Sequence, residues 1–348
     1  MTEQPEVTPK QQLDLIWDYI KGFHAVHLIA IGTELGLFEA INKATYGITA
    51  ARLAHMLGLH APYVEIWCKT GCAYSLIHID ETGHLLRLAP HMDQLLADKD
   101  SPRYIADYSL AATGFYTDDL RRYPEFFKSG EVFTFQQHGP EFSAQIGTMI
   151  SGFHKLIAYK LLPSVDGVAE TLAAGGNILD VGCGAGGLLI QVALANPTCR
   201  CVGIDVDKHG IEQAQANIVA AGLESRVSVV LADGSEVAYE DEFDAVTMCE
   251  VLHELPLEVR GEVLAGACKA LKAEGVMLIL DETYPSRSAD LVAREYNLAI
   301  QTAFNELIWG NIVPTAEEQD ELLRSAGFVR VERSQIATYL TALTAWKL

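Results

Sequence analysis

The sequence predicts an α/β protein: a mostly parallel, seven-stranded sheet that ends in an antiparallel pair of strands, preceded by a smaller helical domain. Two observations carry this. From Gly175 onward the apolar runs 177–182, 201–206, 227–232, 243–248 and 276–281 alternate with helical stretches, the pattern of a parallel sheet covered on both faces. The last two runs, 329–336 and 338–348, are separated by too few residues for a crossover and must pair antiparallel. The chain is divided into residues 1–95, a helical connector 96–174, and the sheet domain 175–348.

In chain order, residues 12–41 place apolar side chains at helical spacing, among them Leu13, Ile16, Ile20 and Phe23. Thr49 is the expected N-cap of a helix that stops near Gly58, and Pro62 suits the first turn of the next. Residues 77–88 read as a two-stranded ribbon turning at Glu81 to Gly83. Helix, helix, ribbon is a winged-helix pattern. Its second helix carries Tyr63, Val64, Ile66, Trp67 and Cys68, more apolar surface than one small domain hides, so the unit is read as a dimerisation module. Residues 91–176 are helical and rich in Phe and Tyr, which either form core or wall a cavity for a flat ligand.

Charge narrows the partners. The 348 residues carry 25 Lys plus Arg against 46 Asp plus Glu, a formal balance of −21 that repels nucleic acid and anionic lipid and attracts small cations. Between Tyr46 and Pro90 the basic residues Arg52, Lys69 and Arg87 are offset by Glu65, Asp80 and Glu81, which is not the basic face of a groove reader. No apolar run approaches the roughly 18 residues of a membrane span. The seven cysteines form no C-x-x-C pair, as expected of free thiols in a reducing cytoplasm.

The chemistry concentrates at strand ends. Gly182, Gly184 and Gly187 have the G-x-G-x-x-G spacing that lets a ligand approach a helix N-terminus. A nicotinamide dinucleotide would suit that spacing, with Asp205 on a ribose. Asp180, however, precedes the first glycine by two residues and would repel a pyrophosphate, whereas S-adenosylmethionine brings an ammonium and a sulfonium. Asp233 in L-A-D-G and the segment M-C-E-V-L-H-E-L-P follow at the next two strand ends.

D-V-G-C-G-A-G, I-D-V, A-D-G and V-L-H-E-L resemble the successive motifs of class I S-adenosylmethionine-dependent methyltransferases, and with its N-terminal unit the whole chain resembles their winged-helix, small-molecule O-methyltransferase type. The resemblance implies a Rossmann-like sheet and methyl transfer to a small-molecule acceptor, with S-adenosylhomocysteine as product. It implies that Asp180, Gly182 and Gly184 shape the methionine end of the pocket, that Asp205 takes the ribose hydroxyls, and that Val206 lies against the adenine. Asp233 and Gly234 would bind the adenine edge, and Cys249 and Glu250 would pass beside the methionine moiety. His253 would be the general base, a role its ordinary pKa near neutrality suits. A homodimer, a cytoplasmic location and no metal are also implied.

Weaker acceptor contacts are His154, Tyr296, Asn305 and Trp309, the last three on a helix expected from Ala289 to about Trp309. Asp281 and Glu282 end the fifth strand, and Thr315 with Glu318 forms a capping box. His24 and His27 lack the partners of a metal shell. Two readings stay beside O-methylation: an N- or C-methyltransferase on the same scaffold, and a metabolite-sensing winged-helix regulator without catalysis.

Overall fold

A computed structural model describes residues 7–236, 238–336 and 339–348. Contacts divide the chain into two compact units, Met1–Asp118 and Asp119–Leu348, so the stretch read as a connector is shared between them.

The first unit is helical with one ribbon. The helix Pro9–Glu34 starts at a Thr8 capping box, and a left-handed Gly36 (φ 68°) separates it from Leu37–Lys43. Thr49 caps Ala50–Leu57, which stops at a left-handed Gly58, and Ala61–Ala73 follows with Pro62 in its first turn. Strands β1 (Ile77–Ile79) and β2 (Leu86–Leu88) pair antiparallel. Phe38 packs edge-on against Trp67, whose indole N–H donates to the Leu28 carbonyl at 2.9 Å, all within a buried cluster with Leu37, Ile41 and Leu53. No single described helix is long and apolar enough to cross a membrane.

The second unit is built on β3 (Asn177–Val181), β4 (Arg200–Asp205), β5 (Val227–Leu231), β6 (Phe243–Cys249), β7 (Leu271–Asp281), β8 (Arg330–Gln335) and β9 (Thr341–Trp346). Their order across the sheet is β5-β4-β3-β6-β7-β9-β8, parallel except at β9, which runs antiparallel to both neighbours. The period-two alternation of strands divides the core between the two faces. Ile178, Leu278 and Leu280 join one buried cluster, and Leu179, Met277 and Ile279 the other.

The helix expected from Ala289 to Trp309 is instead broken into 3-10 turns at Ser288–Val292 and Arg294–Tyr296, an α-helix at Asn297–Asn305 and a last turn at Leu307–Trp309. The break has a physical reason. It lets the side chains of Glu306 and Trp309 hydrogen-bond to His253 and Asp119, partners that helical periodicity does not place.

Candidate cofactor and acceptor site

After β3 the chain turns back through Gly182–Gly186 into the helix Gly187–Ala195. The turn is possible because side chains are missing. Gly182 lies at φ 74°, and a Cβ there would stand 2.5 Å from Val251 Cγ2. At Gly187 a Cβ would stand 2.4 Å from Nδ1 of His154. The His154 ring is buried, and burial pushes its pKa down to about 4, so a neutral imidazole packs under the glycine turn.

The remaining strand-end residues surround that turn. Asp180 is buried, faces Thr247 across the β3–β6 pairing and accepts from its hydroxyl at 2.7 Å; burial pushes its pKa up to about 7. Asp205 accepts from the backbone N–H of Gly184 and of Asp207, each at 2.7 Å, and burial raises its pKa against those bonds. Val206 is half exposed beside it. Asp233 accepts from the backbone and hydroxyl of Ser235 and anchors the turn Gly234–Glu236, bonds that hold its pKa low. Cys249 is buried, and Glu250 stands at φ 56° with a buried Oε1 that accepts no hydrogen bond among the described residues. Left-handed backbone at a glutamate costs about 1 to 3 kcal/mol, and such strain clusters at functional sites.

His253 sits among carboxylates. Its Nδ1 lies 2.7 Å from Asp281 Oδ1 and 3.4 Å from Glu282 Oε2, and its Nε2 lies 3.2 Å from Glu306 Oε2. Burial opposes a charge on this ring, but Asp281, Glu282 and the bonds to Asp281 and Glu306 outweigh it and hold its pKa well above the usual value. Asp281 is fully buried, which alone would raise its pKa; the His253 charge and the N–H groups of His253 and Glu282 hold it below the usual range. Asn311 donates to the same Glu306 oxygen at 2.9 Å, and the Arg260 guanidinium donates to the carbonyls of Leu255, His253 and Ile312. Glu306, Asn311 and Arg260 carry no sequence signal of their own. Glu306 lies 53 residues from His253, and only folding shows the pairing.

The other acceptor candidates are held by protein contacts. The Trp309 indole N–H donates to Asp119 Oδ2 at 2.8 Å, and its ring packs edge-on against Phe142 and His138. Asp119 also meets His138 Nε2 at 3.0 Å, so these aromatic residues form core. The backbone carbonyl of Asn305 accepts from the Tyr123 hydroxyl at 3.0 Å, and Tyr296 is half-buried in the preceding turn. A cavity of about 380 Å³ is lined by Tyr123, Phe126, Phe127, Ile308, Asn311 and Glu131 among others.

Two triads of ligand-type atoms, His253 with Asp281 and Glu282 and His253 with Glu254 and Glu306, each lie within 4.8 Å of one another. The His253–Asp281 separation of 2.7 Å is a hydrogen bond. Two ligands of one zinc, each about 2.0 Å from it, sit farther apart, at roughly 3.3 Å. A cationic methyl donor fits the glycine turn better. Its close backbone suits a ligand lying against it, and the Glu250 and Asp180 carboxyls, whose pKa burial raises, can ionise against an ammonium and a sulfonium.

A methyltransferase domain model matches residues 172–327. A 3-hydroxy-5-methyl-1-naphthoate 3-O-methyltransferase of Streptomyces sahachiroi is 26% identical over 93% of this chain and 92% of its own. A 27-O-demethylrifamycin SV methyltransferase of Amycolatopsis mediterranei is 34% identical over 32% of this chain, which spans 40% of that protein's length. The crystal structure of human N-acetylserotonin methyltransferase with S-adenosylmethionine superposes with a TM-score of 0.78 at 17% identity, covering 99% of each chain. Sheet order, glycine turn and domain match agree: residues 172–327 match a methyltransferase domain, and the chain has the fold of the superposed methyltransferase.

Proposed function

We propose that the protein transfers a methyl group from S-adenosylmethionine to an oxygen of a hydroxylated small molecule of secondary metabolism, with His253 as general base. The observation that carries the reading is the hydrogen-bonded series Asp281–His253–Glu306, in which a buried imidazole is oriented through both ring nitrogens. Its support from relatives is the activity for which the Streptomyces protein is named, O-methylation. When bound, the cofactor supplies an electrophilic methyl and a neutral thioether leaving group.

The chain's part is to hold and move a proton. At neutral pH Nδ1–H donates to Asp281 and Nε2–H to Glu306; Asp281 fixes the tautomer, so that loss of the Nε2 proton as the pH rises frees Nε2 to take the proton of the acceptor hydroxyl. Glu306 then stabilises the imidazolium that forms, and Asn311 holds Glu306 in place. Because these acids raise the affinity of His253 for a proton, it is a strong base that is largely protonated at neutral pH, and turnover is expected to rise as the pH is raised above neutrality. Asp205, Val206 and Asp233 would hold the nucleoside, and Asp180 and Glu250 the methionine end. The exposed apolar row Leu13, Ile16, Trp17, Ile20 and Phe23 supports a homodimer through the first helix, which sedimentation analysis tests.

The deciding experiment is His253→Ala with an acceptor that wild-type protein methylates. Turnover is expected to fall by about two orders of magnitude or more, with affinity for S-adenosylhomocysteine within about twofold of wild type. Unchanged turnover at saturating acceptor removes His253 from the mechanism. Methylation at nitrogen or carbon across an acceptor panel, read by mass spectrometry, would favour the corresponding alternative activity.

A further inference from the structure

Beside His253 the charge does not balance. Asp281, Glu282 and Glu306 all lie within 3.4 Å of its ring nitrogens. The Arg260 guanidinium is directed to backbone carbonyls. Glu282 is 2% exposed; Thr302 donates to its Oε1 at 2.7 Å, but its Oε2 accepts no hydrogen bond among the described residues. The nearest proton, on His253 Nδ1, is directed to Asp281. A buried carboxylate oxygen without a donor is costly unless a ligand supplies one.

The cavity gives a second, independent observation. Its wall is made of Tyr123, Phe126, Phe127 and Ile308, and its one charged lining side chain among the described residues is Glu131. Among the described residues no Lys, Arg or His lines it. Asn311 belongs both to this wall and to the hydrogen-bonded series through Glu306 to His253. Aromatic faces with an acid suit an organic cation and disfavour a carboxylate. A metal ion fits less well, because the His253–Asp281 pair is already closed by a proton at 2.7 Å.

We propose that the acceptor is a hydroxylated aromatic amine bound as its ammonium, held by the free oxygen of Glu282 and by the acid-bearing aromatic cavity. This rests on the methyl-transfer reading and names its substrate class. The direction of the acids' pKa agrees: burial, with Asp281 and Glu306 nearby, pushes Glu282 up to about 7. An ammonium that displaces its proton restores the balance.

The test is calorimetric titration at pH 7.5 with three probes of one phenol and similar size: tyramine, 4-ethylphenol and 3-(4-hydroxyphenyl)propionate. It is run with and without saturating S-adenosylhomocysteine, whose own ammonium occupies the donor side. Tyramine is expected to bind at least about tenfold more tightly than the neutral phenol, with the propionate weakest. Glu282→Gln, whose amide oxygen still accepts from Thr302, should cut the tyramine preference to about threefold or less and leave 4-ethylphenol unchanged. Glu131→Gln, on the surface of the cavity, should lower it in the same direction and guards against misfolding of the buried variant. Equal binding of the three, tighter binding of the propionate, no binding of any, or a preference untouched by both variants would overturn the proposal. Failure of S-adenosylhomocysteine to bind is a separate result, which would sink the methyl-transfer reading while the order of the probes is still read.

Discussion

Gly182→Ala perturbs the turn on which the cofactor site depends, and the structure sets its size. The residue sits at φ 74°, where an L side chain costs about 1 to 2 kcal/mol. The new methyl would also meet Val251 Cγ2 at 2.5 Å, an overlap that must be relieved by moving packed atoms at about 1 to 3 kcal/mol. Together these predict a loss of roughly 2 to 5 kcal/mol in unfolding free energy. Val251→Ala alone should cost roughly 1 to 3 kcal/mol through the cavity it leaves. The double variant removes the overlap and keeps the backbone strain. It should therefore be more stable than the sum of the single effects by roughly 1 to 3 kcal/mol. Urea unfolding of the four proteins measures this, and calorimetry with S-adenosylhomocysteine reads the site in parallel: Gly182→Ala should weaken binding, and the double variant should recover part of it. Strict additivity, or a single variant within about 0.5 kcal/mol of wild type, would refute the close-approach argument.

Four further outcomes are expected. Asp180, whose pKa burial lifts from 3.8 to about 7, disfavours folding progressively as the pH rises between those values; Asp180→Asn should gain stability over wild type across that window and level off above it, as followed by urea unfolding at several pH values. The same group should release protons when S-adenosylhomocysteine binds near pH 7, seen as a buffer-dependent binding enthalpy that Asp180→Asn loses. The raised pKa of His253 contributes stability that is fully present below its ordinary value of 6.5 and lost as the pH rises through the raised one, so His253→Gln should flatten the alkaline side of the wild-type stability profile. Asp119→Ala leaves the Trp309 indole and His138 without their buried acceptor and should cost roughly 1 to 3 kcal/mol for each group, measured by denaturant unfolding.

Features that depend on neighbours in the chain are legible before folding. Apolar runs alternating with helical stretches set the strands of the sheet, and the short interval before the last run set the antiparallel pair, because these follow from local geometry and chain reach. Thr49, Gly58 and the Thr315 capping box likewise act within one helical turn. The glycine turn and the strand-end acids were legible for the same reason, since each motif is contiguous and lies where its strand ends. Tertiary structure alone decided who meets whom across long separations. Asp281 and Glu306 reach His253 from 28 and 53 residues away, and Trp309 reaches Asp119 from 190, pairings to which no periodicity points. Glu254, the next residue after His253, belongs to the same acidic group, and burial together with Glu306 raises its pKa. His253 had the residue type of a base in the sequence, but its strength as one comes from acids that only the closed fold brings to its ring.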